Sequence, residues 1–173
     1  MPIRAIGELE ALIRQLLFER VLRPLAPLYL PDPYLPEHLE FIDLFFVRYS
    51  AVLGEQRELE IHTDDSTFSF NILLNSAQAF EGGGTYFEAT GRTVRPAARG
   101  TAVVHSGHAR HGGVAITSGE RYLLVGFVGS ARYPYTVCCR GWAEHAAANA
   151  FAKFGAGAWD RSPIKTTVAE SVA

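Results

Sequence analysis

Between residues 41 and 128 the chain repeats one pattern, short runs of alternating apolar and polar residues broken by glycine-rich turns. DLFFVRY (43–49), RELEIHT (57–63), TFSFNILLN (67–75), GTYFEAT (84–90), TAVVH (101–105) and RYLLVGFV (121–128) all read this way. A period of two belongs to extended backbone, where successive side chains point to opposite faces, and not to a helix of 3.6 residues per turn. EGGGT at 81–85, Gly91, Gly100, Gly107, Gly112–Gly113 and SGE at 118–120 supply the turns. Many short strands with almost no helix between them predict a sandwich or barrel. In TFSFNILLN, Phe68, Phe70, Ile72 and Leu74 take one face, and Ser69, Asn71, Leu73 and Asn75 the other. That mixed second face predicts core on one side of the strand and a partly polar cavity on the other.

Helical patterns flank this region. Leu9, Leu12, Ile13, Leu16 and Leu17 recur at helical spacing, which predicts an amphipathic helix ended by Pro24. The proline-rich run 23–38 predicts turns around a short helix beginning near Asp32 or Pro36. WAEHAAANAFAKF (142–154) predicts a short C-terminal helix, and the tail after it has few anchors. With 173 residues and no internal repeat, a single domain is expected. It divides into a helical N-terminal region (1–40), a β core (41–128) and a C-terminal helix and tail (129–173).

Composition narrows the function classes. Hydrophobic residues make up 48% and charged residues 20%, a globular balance. The 16 Lys and Arg are spread along a chain of net charge −2, which argues against a nucleic-acid surface. No apolar run approaches the roughly 18 residues that cross a bilayer, and charges interrupt the N-terminal stretch where a signal peptide needs an apolar core. The two cysteines, Cys138 and Cys139, are adjacent, so no disulfide framework is expected. They read as a pair of small buried residues before a thiol pair for metal or redox work. An intracellular, reducing location is the expectation.

On a strand, His62 and Asp64 share a face, and an imidazole beside a carboxylate can hold a metal ion or merely finish a strand. Three histidines, His105, His108 and His111, follow in HSGHARHGGVAITSGERYLLVGFV. Two histidines and one carboxylate on one face of a metal leave open coordination positions, as non-heme iron(II) oxygenases require. Arg121 shares a strand face with Leu123, Val125 and Phe127. A cation on an apolar face is costly unless an anion pairs with it, although a strand start can also be exposed.

HTDDSTFSFNILLN (62–75), FEGGGTYFE (80–88), VRPAARGTAVVHSG (94–107) and HGGVAITSGERYLLVGFV (111–128), in this order, resemble the iron(II)- and 2-oxoglutarate-dependent oxygenases, in their prolyl and lysyl hydroxylase-like branch. The resemblance spans residues 41–128. Arg121 falls ten residues after His111, the family's spacing, which selects His111 over His105 and His108 as distal ligand. By resemblance, His62, Asp64 and His111 bind iron(II), and Arg121 pairs with the distal carboxylate of 2-oxoglutarate. Tyr49, at the end of FFVRY, is a second cosubstrate contact, and Asn71 another; both also read as structural residues. Where some members carry a tyrosine before Leu-Asn, this chain has Leu73, and its N-terminal region is short for the family.

The implied fold is mainly β: a double-stranded β-helix (jelly-roll) with the N-terminal helix packed outside. The implied activity is hydroxylation of a C–H bond coupled to oxidative decarboxylation of 2-oxoglutarate by O2, with ascorbate as accessory reductant. Asp64 favours hydroxylation, because related halogenases replace that carboxylate by a small residue. The substrate would be a peptide, protein or small molecule, a prolyl or lysyl side chain leading. Two rivals stand beside it: a cupin of other chemistry, which usually shows His-x-His, and a non-catalytic jelly-roll serving as a structural or binding subunit.

Overall fold

The computed structural model describes residues 1–30, 33, 35–130 and 166–168. Strands β1 (Glu40–Ser50), β2 (Leu59–His62), β3 (Phe68–Leu73), β4 (Phe80–Gly82) and β5 (Thr85–Phe87) come first. They are followed by β6 (Arg92–Val94), β7 (Ala102–Ser106), β8 (His111–Gly113), β9 (Ile116–Gly129) and β10 (Thr166–Val168). One sheet runs β1-β9-β3-β7-β10, with β4 on the first residues of β9, and the other runs β2-β8-β5-β6. Neighbours are antiparallel except β10 and β7. All six alternating runs are strands; β4, β6 and β8 are three-residue strands whose period is too short to read from sequence.

β3 explains why the layers stack as they do. Phe68, Phe70 and Ile72 face outward into a core shared with Leu22, Leu25 and Tyr29 of the N-terminal helices, and the Tyr29 ring stacks on Phe68 at 4.1 Å. Burying each phenylalanine contributes about 1.5–3 kcal/mol. The opposite face carries Ser69 and Asn71 toward the second sheet, where Asn71 Nδ2 donates to Thr85 Oγ1 at 3.3 Å. The expected division into core face and cavity face holds. Phe87 of the second sheet meets Val103 of the first, and its ring stands edge-on to His105 at 5.4 Å.

The N-terminal helix departs from expectation in two ways. Helix α1 (Leu9–Leu17) buries Leu17 and half-buries Ile13, while Leu9, Leu12 and Leu16 stay exposed. Pro24 does not end the helical path. A π-helical turn, Phe18–Leu22, leads into α2 (Arg23–Tyr29), with Pro24 in its first turn. The five-residue register, in which the Arg23 amide donates to the Phe18 carbonyl, carries the chain into a fresh helix start where proline needs no amide donor. α2, with Leu25, Ala26 and Tyr29 buried, then covers the sheet. The proline-rich run holds a 3₁₀ turn, Pro36–His38, with Pro36 at its start. Asp32, the C-terminal helix expected at 142–154, and Cys138 and Cys139 lie outside the described residues.

Candidate active site

His62 ends β2 and His111 opens β8, and the two are register partners across the second sheet. A register shift between Leu59 and His62 brings both side chains to the cavity, against strict alternation along β2. Asp64 lies two residues beyond the strand, where its amide donates to the Gly107 carbonyl at 2.8 Å. The carboxylate reaches both rings: Oδ1 is 3.2 Å from His62 Nε2 and Oδ2 is 3.7 Å from His111 Nε2. One ligand atom from each of the three residues lies within 4.8 Å of the others. First-row divalent ions bind imidazole and carboxylate at about 2.0–2.2 Å, so donors this close can share one ion.

The backbone also sets the tautomers. His62 Nδ1 is 2.7 Å from the Glu60 carbonyl, and His111 Nδ1 is 2.9 Å from the Ala109 carbonyl. A carbonyl only accepts, so each Nδ1 carries the proton and donates it there. Each Nε2 lone pair is then left for the centre of the cluster. Burial holds His111 below the ordinary imidazole range, against opposing contributions from the Ala109 carbonyl and Asp64, which favours the neutral, ligating form. His105 and His108 are not in the cluster. His105 is buried on β7 in the first sheet, its ring 4.0 Å from that of His111, and His108 is exposed in the turn between β7 and β8. Burial first, and the neighbouring His111 second, push His105 down to about 4.

Arg121 is 1% exposed. It stands opposite Tyr49 in the β1–β9 register, its guanidinium carbon 5.7 Å from the tyrosine ring centroid. Nη1 donates to the Gly84 carbonyl at 3.4 Å, whereas Nε and Nη2 have no hydrogen-bond partner among the described residues. Gly82, Gly83 and Gly84 all take positive φ, and a Cβ on Gly83 would lie 3.4 Å from the arginine Cδ. The glycine turn thus lets backbone approach the buried side chain closely. Burial lowers the guanidinium's affinity for its proton, with Tyr49 opposing the shift. A buried cation with unused donors is a seat for an anion.

Tyr49 and Asn71 line the same cavity as the three ligand residues and Arg121. Burial raises the Tyr49 phenol above its ordinary value, against the pull of Arg121, so the hydroxyl stays a neutral donor. It abuts Gly113, where an added Cβ would sit 2.9 Å from the oxygen. Asn71 keeps a buried Oδ1 without a partner among the described residues, so it offers the cavity an acceptor. Leu73 packs with Tyr49 in the cluster that also holds Leu123. The cavity, about 510 Å3 counted out to open solvent, has further walls that the motifs did not single out, among them Phe45, Val47, Ser69 and Thr85. Phe45 and Val47 alternate with Tyr49 along β1, the signal that could have found them.

No family model matches the chain. Procollagen-lysine,2-oxoglutarate 5-dioxygenase 1 of Rattus norvegicus is 41% identical over 87 residues, 49% of this chain and 12% of the relative. The Drosophila melanogaster procollagen-lysine,2-oxoglutarate 5-dioxygenase is 34% identical over 87 residues, with the same coverage. The match thus spans about an eighth (12%) of the length of these curated relatives. Among solved structures, a 2OG-Fe(II) oxygenase family oxidoreductase from Burkholderia pseudomallei is 27% identical with a TM-score of 0.45, over 53% of this chain and 45% of that one. Over the matched half of the chain, two of five residues are thus identical to dioxygenases that take their name from 2-oxoglutarate, and that half is similar to the iron(II)- and 2-oxoglutarate-dependent oxygenases.

Proposed function

We propose that the protein is an iron(II)- and 2-oxoglutarate-dependent dioxygenase that hydroxylates a C–H bond on a double-stranded β-helix scaffold. A prolyl or lysyl side chain of a peptide or protein is the leading substrate. The observation that carries this reading is Arg121: a buried guanidinium with Nε and Nη2 unpartnered, in the same cavity as three converging metal-ligand atoms. A metal site alone would not need a second, anion-seeking group beside it.

His62, Asp64 and His111 would hold the iron, with both imidazoles oriented by carbonyls and the Asp64 backbone anchored by its amide, which donates to the Gly107 carbonyl. Arg121 would bind the far carboxylate of 2-oxoglutarate through its free donors, and the Tyr49 hydroxyl would donate a further hydrogen bond. Bound iron(II), with 2-oxoglutarate and O2, supplies the oxidising power: R–H, 2-oxoglutarate and O2 become R–OH, succinate and CO2. The apolar side chains of β1 and β9 lower the polarity of the cavity wall, which strengthens charge–charge contacts beside it.

The test is succinate release by purified protein with iron(II), ascorbate and air, against an Asp64→Ala control. Release above the control, raised further by a substrate peptide that gains one oxygen atom, is the expected result. No succinate above the control with iron demonstrably bound would replace this reading by that of a non-catalytic jelly-roll.

A further inference from the structure

The cavity has two unlike ends, and strand register says which residues belong to each. Arg121 and Tyr49 are directly paired at one end. Ser69 pairs with His105 on one side and Phe127 on the other, so these three lie at one level across the sheet. The His105 ring lies 4.0 Å from that of His111, which fixes this as the level of the metal cluster. Phe127 is six residues from Arg121 along the same strand face, about 20 Å of extended chain. Its ring meets that of Phe45 edge to face, with centroids 5.4 Å apart at 84°. Both rings line the cavity and are half-buried. A cosubstrate reaching from the metal toward Arg121 fills the Arg121 end. The target group must then meet the metal past Phe45 and Phe127.

We propose that Phe45 and Phe127 determine substrate class and select a neutral, apolar C–H-bearing side chain over a lysyl ammonium. The proposal rests on the oxygenase reading above and narrows its substrate. Edge-to-face rings and the adjoining Val47 and Val125 reward buried hydrocarbon and give an ammonium no counter-charge. Asp64 is the one carboxylate among the described residues lining the cavity, and it belongs to the metal cluster. The chain would thus differ in substrate from the procollagen-lysine relatives it resembles in sequence.

Peptide sublibraries with random flanks and a central proline, norleucine or lysine test this without knowledge of the natural sequence. They are passed over immobilised protein holding manganese(II), a redox-quiet stand-in for iron, and 2-oxoglutarate. Norleucine matches lysine in length and lacks the charge. Retention of the proline and norleucine pools at least about tenfold above the lysine pool is expected, equivalent to ~1.4 kcal/mol. Phe127→Glu should shift retention toward lysine; if that variant does not fold, the wild-type comparison still decides. Equal retention of the pools, a preference for lysine, or no specific retention of any pool overturns the proposal. Retained peptides are then exposed to iron(II) and air. Preferential retention with neither succinate nor a gained oxygen atom would sink the oxygenase reading and leave the cavity assignment standing.

Discussion

Replacing Arg121 by methionine should make the protein more stable without 2-oxoglutarate and indifferent to it. Arg121 is 1% exposed, two of its three nitrogens have no partner among the described residues, and the third makes only a long 3.4 Å bond to the Gly84 carbonyl. Removing that bond costs at most about 1 kcal/mol. Relieving a desolvated, uncompensated charge returns more: replacing buried ions by apolar side chains of similar length is worth about 1–4 kcal/mol. The net gain is roughly 0–3 kcal/mol, and a chain of this size shifts its melting point by about 2–4 °C per kcal/mol. In the wild type, 2-oxoglutarate at about 100 times its dissociation constant should add about 2.7 kcal/mol by linkage. Thermal melts with manganese(II), with and without 2-oxoglutarate, give all four numbers. A lower melting point for Arg121→Met without ligand would refute the view that the guanidinium is an unmet charge. Equal 2-oxoglutarate stabilisation of both proteins would remove Arg121 from the cosubstrate site.

Other perturbations probe the same geometry. His62→Ala, Asp64→Ala and His111→Ala should each abolish stoichiometric iron(II) binding, whereas His108→Ala should keep it; the reverse pattern at 108 and 111, read by titration, would reassign the distal ligand. Gly107→Ala would put a Cβ 2.0 Å from the Ser66 carbonyl oxygen and disturb the loop that carries Asp64. It should lose about 1–3 kcal/mol of stability and at least about tenfold in metal affinity; unchanged metal affinity would rule out that coupling. His105 is buried with its folded pKa pushed down to about 4 from an ordinary 6.5, so the unfolded chain takes up its proton first. Its contribution is fully present above pH 6.5 and is lost as pH falls toward 4, a few kcal/mol in all. The metal-free His105→Phe variant should show a shallower loss in denaturant melts across that window, and an identical slope would refute the assignment.

What the sequence determined by itself is whatever depends on backbone alternation alone. The six alternating runs and the face joining Arg121 to Leu123, Val125 and Phe127 follow from a local period of two. Neighbouring residues on a strand must obey it wherever the strand sits. The short strands β4, β6 and β8 were not legible; β8, for one, shows no period and is a strand only through its partners β2 and β5. Nor was the helical path past Pro24, which needed a π turn to reset the register, or the shift in β2 that turns Leu59 to the cavity with His62. Strand alternation left the histidine beside Asp64 open; only the resemblance, through the ten-residue spacing to Arg121, selected His111, and the sheet pairing supplies the physical reason. His105, His108 and His111 are close in sequence, but only His111 lies on the sheet strand paired with His62. The tertiary fold also left Arg121 buried without a counter-charge, since burial comes from the second sheet and the β1 partner strand, elements distant in sequence that local pattern cannot bring together.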